Sequence, residues 1–209
     1  MKRFFMKVSV RPFSVLFVLC VISSTVSSCT LKAPSTTEGG SPIISAAKDD
    51  SYTKKFSCQG YSCELLVPAH YSFAETDQPI GKLFVLTGQK HANGKSPILN
   101  LKIVKNPPGE PIPPIQPMVD SVLQPYGEQL SHYAQTVEKP FAVNGHSFLG
   151  SRFTGEFPGT IPASGFVFAS EVADTFFIFS AEDTKPDSET SIPDMLKSVG
   201  TLKIGSDAK

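Results

Sequence analysis

Phe141-Ala142-Val143-Asn144-Gly145-His146-Ser147-Phe148-Leu149 decides how the rest of this chain is read. A two-residue hairpin turn needs positive φ at both central positions, and Asn-Gly supplies it between two runs that alternate in polarity. The stretch therefore predicts an antiparallel hairpin. Downstream, 166–170 and 175–181 read as a second strand pair. Within it, Phe176-Phe177-Ile178-Phe179 is apolar on both faces, as a central strand covered on both sides must be. Upstream, 63–67 is a short strand stopped by Pro68, and 82–87 is apolar on both faces. In 98–105, Leu99, Leu101 and Ile103 share one face, with Asn100 and Lys102 on the other.

Two segments have helical spacing and supply the cover. Ile115, Met118, Val119, Val122, Leu123, Tyr126, Leu130 and Tyr133 form one stripe, which Pro125 is expected to kink or split. Near the end, Ser191 is expected to cap a helix whose Ile192, Met195, Leu196 and Val199 share a face, with Gly200 as its stop. The Pro-rich stretch 107–117 reads as an extended connection. The sum is an α+β fold: a single domain with a mainly antiparallel β-sheet covered by one or two helices on its faces.

The chain of 209 residues, 40% apolar and 18% charged, has a globular composition with room for one folded domain behind an N-terminal targeting segment. Its formal net charge of zero hides an asymmetry. Lys2, Arg3, Lys7 and Arg11 precede Cys29 and no acidic residue does; without those four cations, 15 basic residues face 19 acidic ones, a formal charge of −4. Such a chain, lacking a basic stripe, offers no electrostatic footprint for nucleic acid.

Residues 1–28 read as a signal peptide: a cationic start, an apolar run at 15–22 that is too short to span a bilayer, and small residues up to Ser28. Val26-Ser27-Ser28-Cys29 resembles the bacterial lipobox, which implies diacylglyceryl modification of the Cys29 thiol and cleavage before it. Two or three acyl chains make such an anchor effectively permanent. Thr30, where an aspartate would imply retention at the inner membrane, leans towards an outer membrane, facing the periplasm, in a Gram-negative cell. Residues 29–51, rich in Ser, Thr, Pro, Ala and Gly, read as the lipidated cysteine and a flexible tether.

Four cysteines are present. With Cys20 removed and Cys29 assigned to lipid, Cys58 and Cys63 are expected to form a disulfide, which an oxidising compartment favours and Gly60 lets the chain close. A redox pair or metal site is the weaker alternative, since neither the spacing nor a nearby His cluster completes one.

Phe56, Gly60-Tyr61-Ser62, Val67-Pro68 and Tyr71 resemble the opening of PsbP-like domains, where a glycine-led strand ends in a proline followed by an aromatic. The succession of strands, helix, Asn-Gly hairpin, long strands and a C-terminal helix ending in Ser198-Val199-Gly200-Thr201-Leu202 is similar to the fold shared by PsbP and the Ran-binding Mog proteins. The resemblance covers 52–204, with 205–209 as a tail. The chain departs from the pattern at Tyr71, where tryptophan is common, in its cysteine pair and in its Pro-rich connection. The resemblance implies a non-catalytic domain that binds or helps assemble a partner complex.

Catalytic motifs are missing from the sequence. There is no Gly-x-Ser-x-Gly elbow and no His-Glu-x-x-His, and His70, His91, His132 and His146 read as scattered surface or turn residues. Gly88 to Ser96 ends like a phosphate loop, but five residues separate its glycines and a strand follows, so it reads as a polar hairpin loop. Glu182 and Asp183 read as a solvated strand end. No metal or cofactor is expected. The function expected is that of a membrane-anchored envelope lipoprotein acting on a protein partner without catalysis. The alternatives are an envelope hydrolase whose site assembles only in three dimensions, marked by a cleft holding a perturbed His or acid, and a carrier of an apolar ligand, for which the 12 phenylalanines after residue 28 would line a cavity.

Overall fold

The computed structural model of the protein describes residues 51–206. The expected signal peptide at 1–28, Cys29, residues 30–50 of the expected tether and 207–209 lie outside it. In chain order the elements are β1 (Tyr52–Cys58), β2 (Tyr61–Val67), β3 (Ser72–Gln78), β4 (Gly81–Thr87), β5 (Ile98–Lys105), α1 (Ile115–Gln129), β6 (Ser131–Val137), β7 (Phe141–Val143), β8 (His146–Phe157), β9 (Ile161–Val172), β10 (Thr175–Thr184), α2 (Ser188–Gly200) and β11 (Lys203–Ser206). They build an α+β domain, mostly β. The larger sheet runs β3-β4-β5-β10-β9-β8-β6, with β7 also on β8, and a smaller one runs β1-β2-β11. All pairings are antiparallel.

The Asn-Gly turn forms as the sequence requires: φ is +47° at Asn144 and +88° at Gly145, with Val143 opposite His146. The Asn144 side chain then donates to the Leu202 carbonyl at 2.6 Å, tying the hairpin to the C-terminal segment. β10 is the central strand between β5 and β9. Its Phe177, Phe179 and Ala181 face one cluster, and its Phe176 and Ile178 face the other. On the first side, β2 and α2 cover the sheet with Leu65, Val67, Met195 and Val199, all fully buried. On the second, α1 covers β8, β9 and β6 with Val119 and Leu123.

Pro125 neither splits nor ends α1, which runs unbroken from Ile115 to Gln129. The ring removes one helical bond, to the carbonyl of Ser121, and that residue is exposed, so the freed carbonyl is open to solvation. Leu130 is the C-cap and Tyr133 lies in β6, so the expected stripe continues past the helix as a buried turn and a strand. α2 begins at Ser188 after Asp187, and Ser191 sits inside it, so Ser191 is not the cap.

The expected Cys58–Cys63 disulfide is absent. Both thiols are buried, and the register explains why they are not joined. Cys58 lies opposite Tyr61 while Cys63 lies opposite Phe56, which makes the two cysteines diagonal neighbours in the β1–β2 hairpin. Diagonal positions are about 7–8 Å apart, whereas a disulfide needs Cβ atoms about 4 Å apart. Burial pushes the Cys58 thiol up from its ordinary pKa, which disfavours the thiolate. At the other end of the chain, β11 pairs with β2 through Ser206, two residues past the expected end of the domain.

Candidate functional site

The end of β10 is where polar side chains converge. Alternation along this strand turns Phe177, Phe179, Ala181 and then Asp183 to the side covered by α2, so the carboxylate enters the fold instead of solvent. Its side chain is 0% exposed. Three donors hold it: the Thr184 amide at 2.7 Å, the Ser191 hydroxyl from α2, and His91 Nε2 at 2.8 Å. The Nδ1 of the same imidazole lies 3.3 Å from Asp187 Oδ2, at the N-cap of α2. A protonated ring satisfies both carboxylates, whereas a neutral ring donates to one.

His91 reaches this position because the β4–β5 connection is a closed polar hairpin loop, as its sequence indicated. Its base is the Gly88 amide bonded to the Pro97 carbonyl at 2.9 Å, and the His91 amide bonds the Lys95 carbonyl at 2.7 Å. Gly88 is required at that base. A Cβ there would stand 2.5 Å from the Pro97 ring and 2.9 Å from the Tyr71 ring. Asn93 adds a second tie, donating to the Thr184 hydroxyl at 2.8 Å.

Beside this network a cleft of about 230 Å³ is bordered by His70, Tyr71, Gln89, His91, Asp187 and Asp194. His70 holds φ at +66°, which swings the chain from β2 into β3. The Tyr71 hydroxyl is buried without a hydrogen-bond partner. Burial, reinforced by Asp183 and Asp194, pushes that phenol far above its ordinary pKa, so it stays neutral. A second cleft, about 300 Å³, lies between β8, β9 and α2 and is bordered by Arg152, Thr154, Ser164, Lys185, Ser188 and Ile192.

The order of contacts decides what the cluster can do. In a nucleophilic relay the imidazole stands between hydroxyl and carboxylate, so that it can take the hydroxyl proton. Here the carboxylate stands in the middle and accepts from both, so the imidazole does not contact the Ser191 hydroxyl. The acid that burial does push up is Glu182, whose parity along β10 puts it on the other face of the sheet, near Tyr126 of α1. Among the described residues no group of three or more His, Cys, Asp or Glu is arranged to hold a metal.

The sequence reading therefore misplaced two groups. Asp183 is a buried acceptor and not part of a solvated strand end; the signal was the period-two pattern of β10, which points residue 183 inward if it is carried two steps further. His91 is half-buried and bridges a loop to a helix, and no local pattern could announce that its partners lie about 90 residues away. His70 shares its cleft, while His132 and His146 lie on β6 and β8.

No protein-family model matches the chain, and no curated protein matches it by sequence. Its likeness is to solved folds. The crystal structure of LpqN, described as involved in cell envelope biogenesis of Mycobacterium tuberculosis, shares 12% identity over 75% of this chain and 92% of its own, with a TM-score of 0.52. The solution structure of cyanobacterial PsbP (CyanoP) from Synechocystis sp. PCC 6803 shares 9% identity over 79% and 98%, with a TM-score of 0.49. The structure of PA94 from Pseudomonas aeruginosa, a protein of unknown function described as a putative regulator, shares 14% over 73% and 96%, with a TM-score of 0.43. The likeness to LpqN shows a common fold and carries nothing about activity; the other two matches are too distant to carry an argument. The element order that the PsbP-like resemblance implied is observed with two additions, β6 between α1 and the hairpin and β11 after α2.

Proposed function

We propose that this protein is an exported lipoprotein, anchored through acylated Cys29 and facing the periplasm from an outer membrane, whose folded domain binds or helps assemble a protein partner without catalysing a reaction. The observation that carries the non-catalytic part is the arrangement around Asp183, where a histidine and a serine are both spent on one buried carboxylate that ties the 88–97 loop and α2 to the end of β10. Those groups position a surface, the cleft beside His70 and Tyr71, and the imidazole is held away from the serine hydroxyl instead of against it. The anchor rests on Val26-Ser27-Ser28-Cys29, and the envelope role given for LpqN, a protein of the same fold, accords with it. As for a carrier of apolar ligands, the interior between the layers is filled by phenylalanines: Phe84, Phe148, Phe166, Phe168, Phe177 and Phe179 are fully buried.

The test combines anchor and chemistry. Cys29→Ala should abolish incorporation of labelled fatty acid and leave unprocessed precursor or protein released from membranes; a variant that still carries the label sinks the anchor. Crosslinking of the wild-type chain in intact cells, followed by mass spectrometry, should recover one dominant envelope protein attached near the cleft. A single substitution at His91 that preserves fold and membrane level but removes turnover of a small substrate would replace the binding module with a hydrolase.

A further inference from the structure

Besides the three-residue β7, which pairs only with β8, the two sheets leave four strand edges with no neighbour among the described residues: β1 and β11 in the small sheet, β3 and β6 in the large one. An open edge is a template for another strand, and charged side chains are a common way to blunt it. Three of the four are blunted so. β1 carries Lys54 and Lys55, β11 carries Lys203, and β3 carries Glu75 and Asp77. β6, Ser-His-Tyr-Ala-Gln-Thr-Val, carries no Lys, Arg, Asp or Glu and no proline, and six of its seven residues are exposed, with Val137 at 67%.

We propose that β6 is a self-association edge and that its partner is β6 of a second copy of this chain, paired antiparallel about a two-fold axis through Gln135. The occupant follows from charge. Antiparallel self-pairing of β1 or β3 would bring like charges near one another across the axis, which destabilises a ladder, and β6 has none to oppose. It follows also from register. Tyr133, Gln135 and Val137 share the face on which Tyr133 packs against Phe153 and Gln135 bonds Ser151 at 3.1 Å. With the axis at Gln135, the exposed Val137 lies opposite Tyr133 of the other copy, an aromatic and β-branched pair of the kind that stabilises sheets, and the two Gln135 amides face each other. The run is bounded by the register shift between Ser131 and Ala134 on one side and by Pro140 on the other. β7, the other uncharged edge, is only three residues long, and the two-fold pairing uses the same β6 edge of both copies, so the assembly closes at two copies instead of growing into a filament. This inference does not depend on the proposed anchor.

The experiment uses the full chain in detergent, followed by sedimentation and native mass spectrometry. Wild type should be dimeric. Gln135→Lys and Gln135→Glu, which set like charges directly opposite one another, should each weaken the dimer by about tenfold or more. An equimolar mixture of the two should restore it as a one-to-one heterodimer, a rescue that a variant damaged in its fold would not give. Gln135→Cys, which places two thiols across the axis, should crosslink to a dimer under mild oxidation, while Glu75→Cys on the opposite edge should not. A wild-type chain that is monomeric at all concentrations, variants that dimerise as wild type does, or crosslinking from position 75 as efficient as from 135 would each overturn the proposal.

Discussion

The two faces of the large sheet are built differently. On the side of α2 and the small sheet, 21 buried residues form one cluster and a buried carboxylate with three donors bolts its cover down; on the side of α1, nine form the other, and the helix is tied by the smaller Tyr126–Ser180–Asn100 set of neutral hydrogen bonds. α2 is held by more than its apolar face. Ser191 bonds Asp183, Ser198 bonds the Leu66 carbonyl, and Thr201 accepts from the Leu66 amide at 2.9 Å. α1 rests on β8, β9 and β6, mainly by an apolar stripe, and Leu83, Val85, Ile98 and Val104 on the same side of β4 and β5 stay half-buried. The lesson is that apolar burial places a helix on a sheet, whereas a satisfied buried carboxylate specifies where along the sheet it sits.

That contrast can be broken by mutation, starting where the effect is largest. Phe179→Ala removes a fully buried ring from the larger cluster and should cost about 3–5 kcal/mol in denaturant unfolding. Asp183→Ala strips the acceptor from three donors at once and should cost about 3 kcal/mol. It should also speed hydrogen exchange in 88–97 and the first turn of α2, while α1 is unchanged. Equal loosening of both helices would remove the claim that the network serves α2. Leu123→Ala, under α1, should cost about 2–3 kcal/mol, less than Phe179→Ala, because one side of that helix is open and the site can partly collapse.

The smallest change expected is Glu182→Gln. Burial, with a lesser push from Asp183 and against the pull of Lys95, raises this carboxyl above its ordinary range. The folded state then holds the proton more tightly than the unfolded one. Its stabilising contribution is complete below the usual glutamate pKa and is lost as pH rises through the raised value. The glutamine variant should therefore be the more stable protein at neutral pH and should show a flatter fall in stability between acid and neutral. Parallel pH profiles for the two proteins would show that Glu182 is solvated.

How legible each part was depended on how local its cause is. The Asn144-Gly145 turn, the both-sided β10 and the one-sided β5 are set by φ preferences and period-two burial, so nine or ten residues suffice to read them. β1, β3 and β6 were not read, because edge strands expose most of both faces and lose the alternation that marks a strand. Pro125 misled for a related reason: its cost depends on whether the freed carbonyl can reach water, which the sequence does not state.

What the sequence by itself determined is the α+β class, the hairpin, the central strand and the two covering helices, all of them consequences of short-range sterics and of apolar spacing. Tertiary structure alone decided the rest. Cys58 and Cys63 are close in sequence, yet their pairing hangs on a hairpin register that places them diagonally. His91 lies 92 residues from Asp183 and Ser191 eight, and the three meet because a loop, a strand end and a helix are brought to one point by the core beneath them. A desolvated carboxylate needs several donors, and no single segment of this chain could supply them.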